Sequence, residues 1–250
     1  MFPAGPRRLT DLPLAVDPAE VLRFQGYQRG RDIPTPDVEA LLAEALELGS
    51  ALIAPRAVVR WLRCTARGHD MLGLEDTVLV VPGIDAAWGA VEWVGVAICT
   101  IGAALEERAS ALWDARELPL AMMLDSVGSG AVESLAEHVN DLLCAEGVPH
   151  GLHVTNRVSP GYGDWDVSDQ RRVFALCPGD PVGVTLNEAC FMTPTKSISL
   201  VVGAGRAARV DHYFSQCARC WMRDCAYRRM PLRRSVHRGI VASSGLGPPT

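Results

Sequence analysis

The stretch PLAMMLDSVGSGAVESLAEHVNDLLC, residues 119–144, carries the clearest periodic pattern in the chain. Its apolar side chains follow one another at steps of three and four, which places them on one face of an α-helix. These positions are Leu120, Leu124, Val127, Ala131, Leu135, Val139 and Leu142. The pattern predicts a long amphipathic helix from about Pro119 to Cys144.

Two glycines interrupt this helix in SVGSG, residues 126–130. A glycine inside a helix costs roughly 1 kcal/mol relative to alanine, so the pair needs a physical reason. Close packing of the helix against a neighbouring element is the simpler reason. The alternative is a ligand or cofactor that approaches this face of small residues.

Further helices are predicted before and after the long one. A short helix is predicted in PAEVLRFQGYQ, residues 18–28, and a longer helix opens at Pro36-Asp37, where apolar residues recur at helical spacing. Residues 53–63 are predicted to continue as a second helix. The segment Ser168–Leu176 is predicted as a helix, with the serine or the preceding acids Asp164 and Asp166 as its cap.

Three segments are predicted to contribute strands. Thr77–Val81 and Glu92–Thr100 have the apolar runs of buried strands, and Pro82-Gly83 ends the first of them. Residues 182–202 are predicted to form two strands around the turn TPTK. The expected fold is therefore α+β, a single domain with a twisted, mostly antiparallel sheet packed by helices.

The domain organisation follows from composition. The chain has 250 residues, of which 48% are hydrophobic and 21% charged, as expected for a globular protein with a sizeable core. Residues 1–36 are predicted to be a proline-punctuated N-terminal arm, and residues 37–210 the α+β domain. Residues 211–234 form a cysteine-rich segment, and residues 235–250 a tail.

Charge and hydropathy narrow the class of protein. The net charge of −5 argues against a nucleic-acid partner. Prolines and charges occupy the N-terminus where a signal peptide would be apolar, and the most apolar run, Val94–Leu105, is too short to span a bilayer. No membrane association is expected. A cytoplasmic protein follows, in which eight cysteines should be reduced thiols or metal ligands.

The segment RVSPGYGDWD, residues 157–166, predicts a rigid loop, because proline restricts φ and glycine allows positive φ. The Arg157 guanidinium can pair bidentately with a carboxylate. Backbone groups at Gly161 and Gly163 can bond a ligand, and the Tyr162 ring can pack against a cation. The alternative for Arg157 is a surface salt bridge.

Four motifs occur in one order: GVAICTIGAALEERA (95–109), VESLAEHV (132–139), RVSPGY (157–162) and GVTLNEACFMTPTKSIS (183–199). This series resembles the activation domain of cobalamin-dependent methionine synthase. That family has T-x-G-x-x-L-E-E, an L-A-E helix, R-x-x-P-G-Y and L-x-E-x-x-x-M-x-P-x-x-S-x-S in the same order. The resemblance covers roughly residues 94–203.

The resemblance implies a ligand and a reaction. In the family the R-x-x-P-G-Y loop holds S-adenosylmethionine (AdoMet), which implies cofactor-binding roles for Arg157, Pro160, Gly161 and Tyr162. The family domain rescues cobalamin that oxidation has stranded as cob(II)alamin. Reduction is unfavourable, and immediate methylation by AdoMet draws it forward.

The resemblance also implies partners. No cobalamin-binding D-x-H-x-x-G segment, homocysteine barrel or folate barrel is found in the sequence. The expectation is a free-standing activation protein that acts on a separate corrinoid-binding methyltransferase without its own activation domain, with methionine synthase as the favoured partner. Cobalamin would lie on that partner, and a low-potential electron donor would supply the electron.

Other residues near these motifs have more than one interpretation. Glu188 lies on a predicted strand, where it either enters the site to bind ligand or order the Arg157 loop, or faces outward. Lys196 and Ser197 either face a corrin rim or belong to a solvated turn. The family carries a tyrosine pair after its S-x-S strand, and Tyr213 is the nearest tyrosine here.

The segment CARCWMRDCAYRR places Cys217, Cys220 and Cys225 in a C-x2-C-x4-C array. Three thiols within nine residues can converge on one metal. Zinc would need a fourth ligand, such as His212 or another cysteine, whereas an iron–sulfur cluster could deliver the electron. The alternative is a reduced helical segment that packs on the domain.

Three functions are therefore compared. The first is AdoMet-dependent reductive reactivation of a corrinoid methyltransferase. The second is a metal-binding accessory protein, with iron–sulfur or zinc, that delivers electrons to or assembles a corrinoid protein without AdoMet chemistry. The third is a regulatory AdoMet sensor. AdoMet affinity separates the second from the others, and methylation of cob(II)alamin separates the first from the third.

Overall fold

The computed structural model describes residues 2–28, 30–75 and 77–210. The α-helices there are α1 (Pro18–Phe24), α2 (Pro36–Leu52), α3 (Ile84–Trp88), α4 (Ala104–Asp114), α5 (Leu118–Gly147) and α6 (Gln170–Leu176). The strands are β1 (Arg7–Leu9), β2 (Arg56–Gly68), β3 (Met71–Leu74), β4 (Thr77–Val80), β5 (Gly89–Ala90), β6 (Trp93–Thr100), β7 (His153–Val154), β8 (Thr185–Leu186), β9 (Met192–Thr193), β10 (Ser197–Gly205) and β11 (Ala207–Ala208).

The main sheet has seven strands in the order β4-β3-β2-β6-β10-β7, with β1 paired beside β2. All its pairings are antiparallel. The strand β6 pairs on one side with β2 and on the other with β10, in a register that runs from Ser197–Thr100 to Ala204–Trp93. Helices pack on this curled sheet within one domain, which confirms the predicted α+β class.

The prediction of a second helix at residues 53–63 is wrong, because the chain leaves α2 at Leu52 and enters β2 at Arg56. In β2, Val59 and Trp61 face one side of the sheet, whereas Val58 and Leu62 face the other. Both faces are covered, so the apolar residues form a nearly continuous run. Such a run does not distinguish a buried strand from a buried helix.

The strands predicted at residues 77–81 and 92–100 are confirmed as β4 and β6. The prediction for residues 182–202 is partly right, since β8 and β9 form a separate small sheet and TPTK leads into β10. The strand β10 pairs with β6 along most of its length and with β7 only at Ala204 and Gly205, whereas β8 pairs with β9.

The predicted helix in residues 168–176 is confirmed, although α6 begins at Gln170. A 3-10 turn, Val167–Asp169, precedes it. Its cap is Asp166, whose carboxylate accepts a hydrogen bond from the Ser168 N–H at 2.8 Å. Of the predicted cap residues, the structure therefore confirms Asp166, and Ser168 supplies the N–H that it caps.

Helix α5 runs beneath the central strands and confirms the helix predicted from periodicity. Its predicted apolar face is buried apart from the half-buried Leu142, beside which Leu143 takes the buried position. The helix packs on α2 and α4 and covers one face of the sheet, while the segment around α6 covers the other. No helix in the described ranges is long and apolar enough to cross a membrane.

The first glycine of SVGSG lies where α5 meets two neighbours. A Cβ atom at Gly128 would lie 2.7 Å from Leu105 Cδ2 in α4 and 3.1 Å from Lys196 Cε. At Gly130 the nearest atom would be Val16 Cγ1, at 3.4 Å. Close packing thus explains why a glycine stands at position 128. At position 130 a Cβ atom would make only an ordinary van der Waals contact.

The residues predicted as an N-terminal arm contact the domain. The strand β1 pairs with β2, and the Phe2 ring stacks on Trp61 with centroids 4.1 Å apart. Arg7 forms an ion pair with Glu146 of α5 at 2.7 Å. The predicted helix at residues 18–28 is confirmed as α1, which packs on α5.

Candidate functional site

The Arg157 loop, residues 157–166, begins as an extension of the main sheet. Val158 forms an isolated antiparallel bridge with Val201 of β10, with N–H to carbonyl distances of 2.9 and 2.8 Å. The Ser159 hydroxyl donates to the Ser199 carbonyl at 2.7 Å. The start of the loop is therefore fixed to the sheet by backbone and side-chain hydrogen bonds.

The tip of the Arg157 loop has the conformation that its glycines predict. Gly161 and Gly163 have φ values of +87° and +60°, a region that residues with a Cβ atom rarely adopt. Both are exposed, and the Gly161 N–H donates to the Trp165 carbonyl at 2.8 Å. The tip thus presents backbone to solvent on a closed turn, as predicted.

The Arg157 side chain is buried and lies against α5. One guanidinium nitrogen donates to Glu133 Oε2 at 2.6 Å and to Glu137 Oε1 at 3.0 Å. Arg157 is 7% exposed, so the salt bridge given as the alternative is present, but its guanidinium is buried and not on the surface. Ligand binding by Arg157 stays a prediction. Burial by itself lowers the pKa of Arg157, but the two carboxylates outweigh it and raise the pKa above its ordinary value.

Glu133 and Glu137 were not identified as candidate residues from the sequence. They lie 24 and 20 residues before Arg157, so sequence proximity does not connect them. Their own spacing of one helical turn places both on one face of α5. The signal that could have found them is the pair of acids in VESLAEHV within a predicted amphipathic helix.

This cluster has the chemistry to bind an α-amino acid group. A guanidinium pairs with carboxylates through charge-assisted hydrogen bonds, and at Arg157 two such bonds go to the carboxylates of α5. The side chains of Glu133 and Glu137 are 21% and 56% exposed, so their oxygens remain accessible to an ammonium group. Paired acids and a base within one site match the opposite charges of a zwitterion.

A small cavity of about 80 Å³ lies against the other side of the Arg157 loop. It is lined by Val81, Pro82, Val158, Ser159, Tyr162, Gly163, Asp164 and Trp165. Tyr162 is 46% exposed, and the preceding Pro160 is buried. The loop therefore separates the Arg157 cluster on the α5 side from a partly apolar cavity beside the end of β4.

Glu188 lies in an exposed turn between β8 and β9, and not on a strand as expected. Asn187 bonds around this turn, with its Oδ1 accepting from the Phe191 N–H at 2.9 Å. The Glu188 backbone carbonyl accepts a hydrogen bond from Arg171 of α6. The turn is thus held by local contacts and by α6.

Lys196 and Ser197 are held against the interior, so the solvated-turn interpretation is wrong for them. The Lys196 ammonium donates to Asp125 Oδ1 at 2.8 Å and to Ser129 Oγ at 2.9 Å, and its side chain is 12% exposed. The Ser197 hydroxyl donates to Thr100 Oγ1 at 2.9 Å. These contacts fix the start of β10 to α5 and β6.

The remaining candidate residues lie outside the described part of the chain. These are Tyr213 and the possible metal ligands His212, Cys217, Cys220 and Cys225. Within residues 2–28, 30–75 and 77–210, no three His, Cys, Asp or Glu side chains are grouped so as to hold a metal ion. The zinc and iron–sulfur interpretations thus stay predictions about the cysteine-rich segment.

The cysteines in the described ranges are free thiols. Burial raises the pKa of Cys99 to about 12 and the pKa of Cys177 to about 12. Thiols that stay protonated are poor nucleophiles and poor metal ligands. These two side chains therefore belong to the core.

Comparison with known proteins identifies a solved structure that has the same fold as this chain. No family model matches the chain, and no curated protein matches it. The class that the fold defines is a single α+β domain with a curled antiparallel sheet packed by helices. A solved structure with this fold is the MetH reactivation domain bound to AdoHcy, with a TM-score of 0.60 and 14% identity. The match covers 85% of this chain and 81% of that one, so the fold that the motif resemblance implied is confirmed.

Proposed function

We propose that this protein binds AdoMet at the Arg157 loop and supports reductive methylation of cob(II)alamin on a separate corrinoid methyltransferase, with methionine synthase as the foremost partner. The observation that carries the proposal is the ion-pair cluster that the buried Arg157 forms with Glu133 and Glu137 beside the loop. The fold adds support, because a domain of the same fold was solved with AdoHcy bound.

The charges of the Arg157 cluster suit the amino-acid end of AdoMet. Arg157 would bind the methionyl carboxylate, and Glu133 or Glu137 would accept hydrogen bonds from the ammonium group. Two acids against one base leave the cluster with a formal charge of −1. AdoMet, with an ammonium, a carboxylate and a sulfonium, carries +1, so charge complementarity favours it.

The tip of the Arg157 loop would hold the remainder of the ligand. The Gly161 N–H already donates to the Trp165 carbonyl, so the exposed backbone of Gly163 and the carbonyl of Gly161 would bond the nucleoside. The half-exposed Tyr162 offers an aromatic face to the sulfonium, a contact worth about 0.5–2 kcal/mol. Glu188 and Tyr213 stay candidates for further contacts.

The chain's own residues would bind and orient the ligand, and the chemistry would come from groups that it does not contribute. AdoMet would supply the methyl group and leave as AdoHcy, and a low-potential donor would supply one electron to the cobalamin of the partner. In this role the protein is the activation component of a methyltransferase and acts in the cytoplasm. The cysteine-rich segment, with Cys217, Cys220 and Cys225, would carry any metal involved in electron delivery.

Two measurements test the proposal. Calorimetry should detect AdoMet binding by the purified protein, and AdoHcy should compete for the site. A corrinoid methyltransferase trapped as cob(II)alamin should then regain activity when this protein, AdoMet and a low-potential reductant are added together. Absence of AdoMet binding would contradict the proposal and favour the metal-binding accessory protein. AdoMet binding without reactivation of the methyltransferase would favour the third function, a regulatory AdoMet sensor.

A further inference from the structure

The far end of the Arg157 loop is held differently from its start. The start is fixed to β10 by the bridge between Val158 and Val201. The far end folds back on itself, with the Trp165 N–H donating to the Tyr162 carbonyl at 3.2 Å and the Trp165 carbonyl accepting from Gly161 at 2.8 Å. The backbone of the tip therefore follows the position of Trp165.

Trp165 is itself held by one buried carboxylate. Its indole N–H donates to Asp169 Oδ2 at 2.9 Å, and the two residues are 4% and 5% exposed. A hydrogen bond to a charged acceptor in a site that excludes water is stronger than one between neutral groups at the surface. This contact is therefore the main polar anchor of the Trp165 side chain.

Asp169 joins the loop to two further elements. It pairs with Arg172 in α6, and it accepts a long hydrogen bond of 3.4 Å from the Val80 N–H of β4. Its neighbour Gln170 accepts a hydrogen bond from the Ser199 hydroxyl of β10 at 2.8 Å, which fixes the start of α6 to the sheet. Asp169 thus connects the Arg157 loop, through Trp165, to helix α6, which is itself fixed to the sheet.

We propose that Asp169 is the positioning residue of the Arg157 loop: through Trp165 it sets the backbone that presents Gly161, Tyr162 and Gly163 to AdoMet. This inference rests on the proposed function, since the ligand is the one proposed above. Asp169 does not touch the ligand in this arrangement. Its effect on binding passes through the indole contact and the order of residues 159–165.

The test compares Asp169→Asn with Asp166→Asn in the full chain. Asparagine keeps the size of Asp169 but removes the charge that Trp165 and Arg172 use. The matched control also loses a carboxylate in the same segment, but that carboxylate is exposed and caps only Ser168. Amide hydrogen exchange of residues 159–165 is measured without ligand, and AdoMet affinity is measured by calorimetry.

The expected result is a local change in D169N and none in D166N. Exchange of residues 159–165 should rise about tenfold while exchange in α5 stays at the level of the unaltered protein, and the Kd for AdoMet should rise about tenfold, the equivalent of one charge-assisted hydrogen bond. Trp165→Phe keeps an aromatic six-membered ring but removes the five-membered ring of the indole together with the N–H donor to Asp169. W165F should also raise the exchange of residues 159–165 and the Kd for AdoMet. If D169N does not fold, W165F alone tests the positioning role.

Three results would contradict either the positioning role of Asp169 or the assignment of AdoMet as the ligand. Unaltered loop exchange and affinity in D169N and W165F would remove the positioning role alone. A uniform rise of exchange across the whole chain would show that Asp169 supports stability and not the loop in particular. If the unaltered protein does not bind AdoMet, the proposed function falls with the ligand part of this inference, and loop exchange still reports whether Asp169 orders the loop.

Discussion

Burial by itself disfavours the charged form of the Arg157 guanidinium, and two carboxylates from one helix reverse that preference. Breaking such a buried pair leaves uncompensated charge, which costs more than the net value of the intact pair. Without Arg157, Glu133 and Glu137 would face each other one turn apart on α5. The residue therefore matters for the local structure as well as for a ligand.

Replacing Arg157 with alanine should weaken AdoMet binding severely. Loss of a charge-assisted carboxylate contact in a buried site costs about 1.5–3 kcal/mol, or roughly ten- to hundredfold in Kd. Calorimetry measures this, with Arg108→Ala as the control because Arg108 is exposed on α4. Equal affinities for the two variants would remove Arg157 from the site. Tyr162→Phe should weaken binding less, because the ring remains.

The two buried thiols predict a pH dependence of stability. Burial raises the pKa of Cys99 and of Cys177 to about 12 from an ordinary value of 9.0. Between these values the unfolded thiol loses its proton and the folded one keeps it. The unfolded state is therefore favoured as the pH rises, by about 1.4 kcal/mol per pH unit for each thiol.

Urea unfolding at several pH values between 9 and 11 tests this dependence. The free energy of unfolding of the unaltered protein should fall as the pH rises. Cys177→Ala removes one of the thiols, so the slope of its decline should be about 1.4 kcal/mol per pH unit shallower. An equal slope in the two proteins would show that the Cys177 thiol ionises as readily in the folded state as in the unfolded one.

At the scale of the element, α5 connects most parts of the molecule. One face packs against the sheet and the neighbouring helices, and Gly128 lets α4 and Lys196 approach closely. The polar side chains of Asp125, Ser129, Glu133 and Glu137 are spaced by one turn each. They hold Lys196 at the start of β10 and Arg157 at the start of the loop.

The two glycines of α5 should respond oppositely to substitution by alanine. At Gly128 the new Cβ would lie 2.7 Å from the buried Leu105, so overpacking should destabilise the protein by about 1–3 kcal/mol. At Gly130 the nearest atom is 3.4 Å away, and the better helix propensity of alanine should stabilise it by up to about 1 kcal/mol. Chemical denaturation measures both, and similar values for the two variants would contradict the packing explanation.

At the scale of the whole molecule, the N-terminal residues are part of the packed structure. Phe2 lies between Trp61 of β2, Trp93 of β6 and His150, at centroid distances of 4.1, 5.4 and 5.0 Å. Glu146 of α5 accepts hydrogen bonds from both Arg7 and the Trp61 indole. The contacts join the beginning of the chain to the central strands and the long helix.

Replacing Phe2 with alanine should lower the stability of the whole domain. Truncation of a buried phenylalanine costs about 3 kcal/mol or more, and Phe2 is 7% exposed. The control is Ile33→Ala, since Ile33 is 88% exposed and a surface substitution usually changes stability by less than about 0.5 kcal/mol. Thermal unfolding measures both, and an unchanged melting temperature for the Phe2 variant would show that the arm unfolds independently.

The sequence predicted correctly those structural features that depend only on residues close to one another in the chain. The period of α5, the proline that opens α2 and the glycines of the Arg157 loop each restrict the backbone within a few residues. The assignment of residues 53–63 failed because a strand with both faces buried has no alternation to read. The cap before α6 shows a related limit on a smaller scale, since Asp164, Asp166 and Ser168 are all capping residue types and only the geometry selects Asp166.

By itself, the sequence determined the helix at residues 119–144, the shape of the loop after Arg157 and the motif order whose implied fold the structure confirms. Only the tertiary structure decided what surrounds Arg157. Its partners Glu133 and Glu137 lie on α5, and Trp165 meets Asp169 within a core that β4 and β10 complete. These contacts depend on how a helix crosses a sheet, a relation set by packing over the whole domain.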